Sequence, residues 1–263
     1  MTADGLQLEH HGAVSHLVID RPAKRNALTR AMWQAMPGLL SEAAARSELR
    51  VLIVRGTGGA FASGADIGEF EDVYATAQSA DAFSREVAKA LDALAAFPMP
   101  VMAVIDGACI GAGCGIALAC DIRFCTPLSK FGITPAKLGL LYPLNDTRRL
   151  VDAVGQQAAR DMLFSARHVD GREAAELGLV AACLPSTELD ALIAERVDEI
   201  ASRSAASLRG LKHFLNLIAD GTVSDTAETR ARFRAAFDGD DFAEGYRAFL
   251  GKRAPDFTGG SAS

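Results

Sequence analysis

The chain has 263 residues, 49% of them apolar and 23% charged, with a formal net charge of -6. This suits one large soluble domain, or one domain with a helical appendage, and argues against a disordered chain. It also argues against a membrane partner, since no apolar run of about 18 residues occurs, and against a nucleic-acid partner, which would need a basic surface to displace counterions. Met1 to Glu9 lacks a basic stretch followed by an apolar one, so the expected location is cytoplasmic.

Leu6 to His10 and Val14 to Ile19 read as two strands of a hairpin separated by Gly12. Thr29 is placed to cap a helix from Arg30 to about Ala45, which Pro37 is expected to kink or split. Val51 to Val54 reads as a buried strand, Gly56 to Gly64 as a glycine-rich loop, and Ala80 to Phe97 as a helix ending before Pro98. Val101 to Ile105 is apolar enough for another buried strand, and Asp121 to Cys125 follows as a further one. This alternation predicts α/β layers with parallel pairing and crossovers. From Leu144 onward the patterns at 144–154, 156–164, 171–178, 188–201, 205–219, 224–237 and 241–251 read as helices, interrupted by a strand at Val180 to Leu184. The last residues, Thr258 to Ser263, are small and polar and are expected to be disordered.

Between the strand at 101–105 and the helix that starts near Ala112 lies Gly107-Ala108-Cys109-Ile110-Gly111-Ala112-Gly113-Cys114-Gly115. Small residues let a ligand approach the backbone, and the first turn of a helix presents unpaired N–H groups, so the run suits an anion or a developing oxyanion. It equally suits close packing of a helix on a sheet. It is neither a dinucleotide fingerprint, because Ile116 stands where the third glycine belongs, nor a P-loop, because no Gly-Lys-Ser/Thr occurs. The cysteines at 109, 114, 120, 125 and 183 have no Cys-x-x-C spacing and read as reduced thiols, with no metal expected. No Gly-x-Ser-x-Gly is present and the five histidines show no catalytic pairing, which weakens a serine-hydrolase reading.

Taken together, several segments resemble the crotonase superfamily, the enoyl-CoA hydratase/isomerase family. They are Arg21-Pro22-Ala23-Lys24-Arg25-Asn26-Ala27-Leu28, Ala60-Phe61-Ala62-Ser63-Gly64-Ala65-Asp66-Ile67, the glycine run, Asp121-Ile122, Phe131-Gly132, Lys137 to Leu140, Gly171 to Leu179, and Ala248 to Arg253. The resemblance implies a ClpP-like α/β spiral of strand-strand-helix units over residues 1–200. It also implies a C-terminal helical region, 201–263, that trimerises and contacts CoA, giving a homotrimer or a dimer of trimers. The ligand implied is an acyl-CoA thioester, with coenzyme A as part of the substrate and no separate cofactor. The oxyanion hole would use the N–H groups of Ala65 and Ala112. Lys24, Arg25 and Lys252 would meet the nucleotide, and Ala27, Ala62, Asp66, Ile67, Gly111, Pro135, Leu140 and Phe249 would line the remaining substrate path.

Two departures bear on the reaction. The glutamates that hydratases of the family use as acid and base fall here on Gly115 and Pro135, so water cannot be held between two carboxylates in the usual way. The segment Thr134-Pro135-Ala136-Lys137-Leu138-Gly139-Leu140-Leu141-Tyr142 is similar to the methylmalonyl-CoA decarboxylase branch, which implies an active-site role for Tyr142. That branch normally keeps a glutamate at the position of Gly115. Asp66, Glu69, Glu71 and Asp146 are the other acids that could substitute. Three expectations follow: decarboxylase-like or isomerase-like chemistry through an enolate, a hydratase with relocated acid and base, or a non-catalytic acyl-CoA binder.

Overall fold

The structure, a computed structural model, describes residues 4–257; the tail expected to be disordered lies outside the described residues. Strands β1 (Leu6–His11) and β2 (Val14–Ile19) pair as an antiparallel hairpin. Helix α1 (Arg30–Ala44) follows, its Thr29 hydroxyl accepting from Met32 N at the N-cap. The helix is continuous across Pro37, where the sequence predicts a kink or two pieces. Met32, Trp33 and Met36 before the proline and Leu39 and Leu40 after it are buried, so packing of one apolar face carries the helix past the single backbone bond that proline removes.

The chain then repeats a unit of two strands and a helix. The units are β3 (Val51–Gly56), β4 (Ala60–Ala62), a short α2 (Phe70–Val73) and α3 (Ala77–Ala95); β5 (Val101–Ile105), β6 (Ala108–Ile110) and α4 (Ala112–Ala119); and β7 (Ile122–Cys125), β8 (Lys130–Gly132) and α5 (Leu144–Ser165). A last turn contains β9 (His168–Asp170), α6 (Gly171–Glu176) and β10 (Ala182–Cys183). The first strand of each unit joins a six-stranded sheet, β1-β2-β3-β5-β7-β10, and the second a four-stranded sheet, β4-β6-β8-β9. Every pairing is parallel except β1 with β2 and β8 with β9. The result is the expected α/β spiral.

The three-residue strands β4, β6, β8 and β9 correct the sequence reading. It treats 56–64 as loop, reads a glycine-rich turn between the strand at 101–105 and the helix, and assigns no strand at 130–132 or 168–170, because such short strands carry too few residues to show a period. Helix α5 does divide at Gly155, whose backbone is non-helical (φ 73, ψ 167). The strand read at 180–184 shortens to Ala182–Cys183.

Strand β3 is apolar from Val51 to Val54 because both of its faces are buried there. Leu52 and Val54 join the main core with Trp33, Phe61 and Phe131, while Val51 and Ile53 pack with Met102, Phe124 and two residues of α7 (Ser186–Ala201), Leu189 and Ile193. Beyond α7 lie α8 (Ala205–Ala219), α9 (Ala227–Ala235) and α10 (Asp240–Leu250). Lys212 of α8 anchors this region: buried, it donates to Asp121 Oδ2 at 2.7 Å and to Met99 O at 3.0 Å. Lys212→Met, which strands a partly exposed carboxylate, is expected to cost about 2 kcal/mol, read as a lower urea midpoint. An unchanged midpoint would show that α8 is held by packing alone. Leu211, Leu215 and Ile218 of α8 form an exposed apolar stripe, and Phe233, Phe237, Phe242, Tyr246 and Phe249 continue exposed apolar surface further along the chain.

Candidate active site

The loop 21–28 is built on Asn26, a fully buried polar residue in left-handed conformation (φ 56). Its Oδ1 accepts from Arg21 N at 2.7 Å, and its Nδ2 donates to Thr57 O at 2.9 Å and Ala60 O at 2.6 Å. The loop is laced to the segment after β4: Ser63 N donates to Arg25 O, Leu28 N to Gly64 O, and Asp66 N to Leu28 O. Leu28 thus bonds to residues 64 and 66 on either side of its parallel-bridge partner Ala65, which turns the Ala65 N–H away from the loop. Lys24 and Arg25 are exposed on this loop, while Ala27 and Ala62 are buried beneath it.

The second loop closes on the first. Gly111 caps α4 with φ 56 and ψ -118, a conformation a side chain would oppose, and its N–H donates to Gly132 O at 2.7 Å. Ala112 is therefore the first helical residue, with an N–H that has no place in the helical ladder. The two loops come together at Gly64, where an added Cβ would lie 3.1 Å from Ile110 O and 3.6 Å from Ala112 N. At Gly113 a Cβ would stand 2.1 Å from Ala62 O, so only glycine lets α4 approach β4 this closely. Among the described residues, neither the Ala65 nor the Ala112 N–H donates to a backbone or side-chain acceptor.

Gly115 follows one turn after Ala112, on the same face of α4. An added Cβ there would meet Leu91 Cδ1 at 3.1 Å, Tyr142 Oη at 3.6 Å and Asp146 Oδ2 at 3.7 Å. The Tyr142 hydroxyl is buried without a hydrogen-bond partner, and burial, reinforced by Cys114 and Asp146, raises its pKa well above the usual phenol. Asp146 is 5% exposed; burial raises its pKa, and Arg149 opposes the rise. Arg149 donates to Asp146 Oδ1 at 2.9 Å and to Asp92 Oδ1 at 2.7 Å. The sequence names Asp146 only among possible substitute acids and leaves Arg149 and Asp92 unnoticed. The signal that was there to read is the three-residue spacing of Asp146 and Arg149.

The remaining candidates are distributed unevenly. Asp66 is engaged locally: it accepts from Gly68 N at 3.0 Å and pairs with Arg21 at 2.9 Å, and the Gly68 bond followed by Arg21 holds its pKa low. Glu69 accepts from Arg30 N at 2.7 Å at the start of α1, and Glu71 is exposed. Ile67, Leu140 and Phe249 are exposed, and Pro135 opens a short 3-10 turn. Lys252 follows α10 in left-handed conformation (φ 49). Within one chain, no hydrogen bond among the described residues ties Phe249 or Lys252 to the Ala65 and Ala112 loops. Burial pushes up the thiol pKa values of Cys109, Cys120 and Cys125, that of Cys120 to about 12, so they are poor nucleophiles. Among the described residues no group of three or more His, Cys, Asp or Glu could hold a metal ion, and no helix is long and apolar enough to cross a membrane.

The sequence pattern of enoyl-CoA hydratase/isomerase matches residues 9–260. The 2,3-dehydroadipyl-CoA hydratase of Escherichia coli is 31% identical over 244 residues, covering 92% of this chain and 94% of that protein. A peroxisomal Delta(3,5)-Delta(2,4)-dienoyl-CoA isomerase of Arabidopsis thaliana is 30% identical over 257 residues, covering 93% and 92%. Among solved structures, an enoyl-CoA hydratase/isomerase family protein from Hyphomonas neptunium superposes with a TM-score of 0.93 at 41% identity, covering 97% of each chain.

Proposed function

Because this chain belongs to the enoyl-CoA hydratase/isomerase family, we propose that it transforms an acyl-CoA through a thioester enolate, by decarboxylase-like or isomerase-like chemistry rather than ordinary hydration. The Ala65 and Ala112 N–H groups would polarise the thioester carbonyl and hold the oxyanion. Lys24, Arg25 and Lys252 would meet the CoA phosphates and adenine. The acyl path would be lined by Ala27, Ala62, Asp66, Ile67, Gly111, Pro135, Leu140 and Phe249. A homotrimer or dimer of trimers, proposed from the family resemblance, would give the exposed apolar surface of α8 to α10 a partner. A cytoplasmic setting fits the bacterial relatives.

One observation carries the choice of reaction: a buried, unpartnered Tyr142 hydroxyl stands 3.6 Å from where a side chain at Gly115 would begin, while positions 115 and 135 bring no carboxylate. Decarboxylation draws its electrons from the bond between the α-carbon and the departing carboxylate. A donor pair for the oxyanion and a group that orients the carboxylate out of the thioester plane therefore suffice for bond breaking. Tyr142 can be that group.

With a malonyl-type thioester as substrate, Tyr142→Phe is expected to lower kcat roughly 100-fold with KM little changed. An unaffected rate removes Tyr142 from the chemistry. Hydration of enoyl-CoAs without decarboxylation or isomerisation would favour a hydratase with relocated acid and base, and tight CoA binding with no turnover across a broad panel would favour a binder.

A further inference from the structure

We propose that Asp146 supplies from α5 the carboxyl group that α4 lacks at Gly115, and that it exchanges a proton with the α-carbon of the bound thioester. The inference rests on the enolate reading and adds to it the acid-base group.

Three geometric facts converge on this aspartate. Its Oδ2 stands 3.7 Å from the Cβ position of Gly115, about where the carboxyl end of a glutamate rooted at 115 would reach. Its two oxygens are differently employed, Oδ1 bonded to Arg149 and Oδ2 turned to Gly115. Its side chain is only 7% exposed, and Arg149 is fixed in turn by Asp92 on α3. A helix-end aspartate serving only as a favourable charge would sit in solvent; this one is held with one oxygen aimed at the face of α4 that carries the Ala112 donor one turn earlier.

The glycine is the complement of the aspartate. With no side chain at 115, the space beside Leu91 and Tyr142 is open to a carboxyl group arriving from another helix. The groups around Asp146 are Arg149 on its own helix, Tyr142 just before it and Asp92 on α3, and Cys114 on α4 faces Tyr142 in turn. Burial favours the protonated acid and Arg149 opposes it.

The proton balance is simple. When carbon dioxide leaves, the enolate takes the Asp146 proton at its α-carbon, the enolate electron pair becomes the new C–H bond, and the carboxylate left behind pairs with Arg149 and regains a proton from water. In isomerisation the carboxylate first removes the α-proton and returns it at the γ-carbon.

The test is α-proton exchange of a saturated acyl-CoA in deuterium oxide, followed by mass spectrometry. Asp146→Asn is expected to slow exchange roughly 100-fold, with CoA affinity unchanged and the acidic limb of the pH profile abolished. The swap Gly115→Glu with Asp146→Ala is expected to restore exchange, because it returns a carboxylate to the same space from α4. Exchange at the wild-type rate in Asp146→Asn overturns the proposal while leaving the enolate reading standing. If Asp146→Asn fails to fold, the swap decides: a folded swap variant without exchange overturns the proposal. No exchange by the wild-type protein with CoA thioester bound overturns the enolate reading and this one with it.

Discussion

Ala112→Pro is expected to lower turnover of an acyl-CoA by roughly 100- to 1000-fold while leaving the fold intact. Proline deletes one N–H and nothing else of consequence at this position. Ala112 is the first residue of α4, where the proline ring meets no preceding helical turn and the φ angle it imposes is already helical. The preceding Gly111 has φ 56 and ψ -118, outside the right-handed helical region that a following proline disfavours. If Ala112 N–H holds the oxyanion, kcat falls and the melting temperature stays. Ala112→Gly, which retains the N–H, should keep most of the activity. Normal turnover in the proline variant would show that the thioester oxygen is held elsewhere; a large loss of melting temperature would mean that the substitution tests the helix and not the donor.

Asn26→Ala is expected to destabilise the protein by about 4 kcal/mol. Three backbone groups lose their partner at once, Arg21 N and the Thr57 and Ala60 carbonyls, in a place where Asn26 is fully buried and water cannot replace it. Alanine must also adopt the left-handed conformation at φ 56, which asparagine tolerates through its short polar side chain. Asn26→Asp is expected to be no better, because the oxygen replacing Nδ2 would face two carbonyl oxygens. Urea unfolding measures both, and a loss under about 1 kcal/mol in the alanine variant would refute the accounting. CoA affinity should weaken in parallel, since this side chain ties the loop bearing Lys24 and Arg25 to β4.

How much was legible in the sequence depends on how far each feature is local. The strand at 14–19 announces itself by alternation, and those at 51–54 and 101–105 by short apolar runs rich in valine and isoleucine, nearly every position of which is buried. Gly111 and the helix start at Ala112 are legible because a turn leading into a helix selects glycine at one exact place. The short strands of the second sheet were not legible: Ala60-Phe61-Ala62 becomes a strand only by lying beside Ala108-Cys109-Ile110, which belongs to the next coil. Pro37 misled for a related reason, since the propensity against proline is local and the packing around Trp33 is not. Tyr142 enters the sequence reading through its motif, whereas the approach of Asp146 to Gly115 is not legible, because nothing along the chain reveals that a residue 31 positions later returns to face it.

The bonds between residues 25–28 and 63–66 also make a statement about motion. Ser63 N to Arg25 O, Leu28 N to Gly64 O and Asp66 N to Leu28 O bind the two segments as one ladder, with Asn26 as its bolt. Such a ladder opens as a unit. The amides of Leu28, Ser63 and Asp66 should therefore exchange with solvent deuterium at a common rate, and a ligand held by the loop bearing Lys24 and Arg25 should slow all three, so that its binding is registered in the backbone next to the Ala65 N–H.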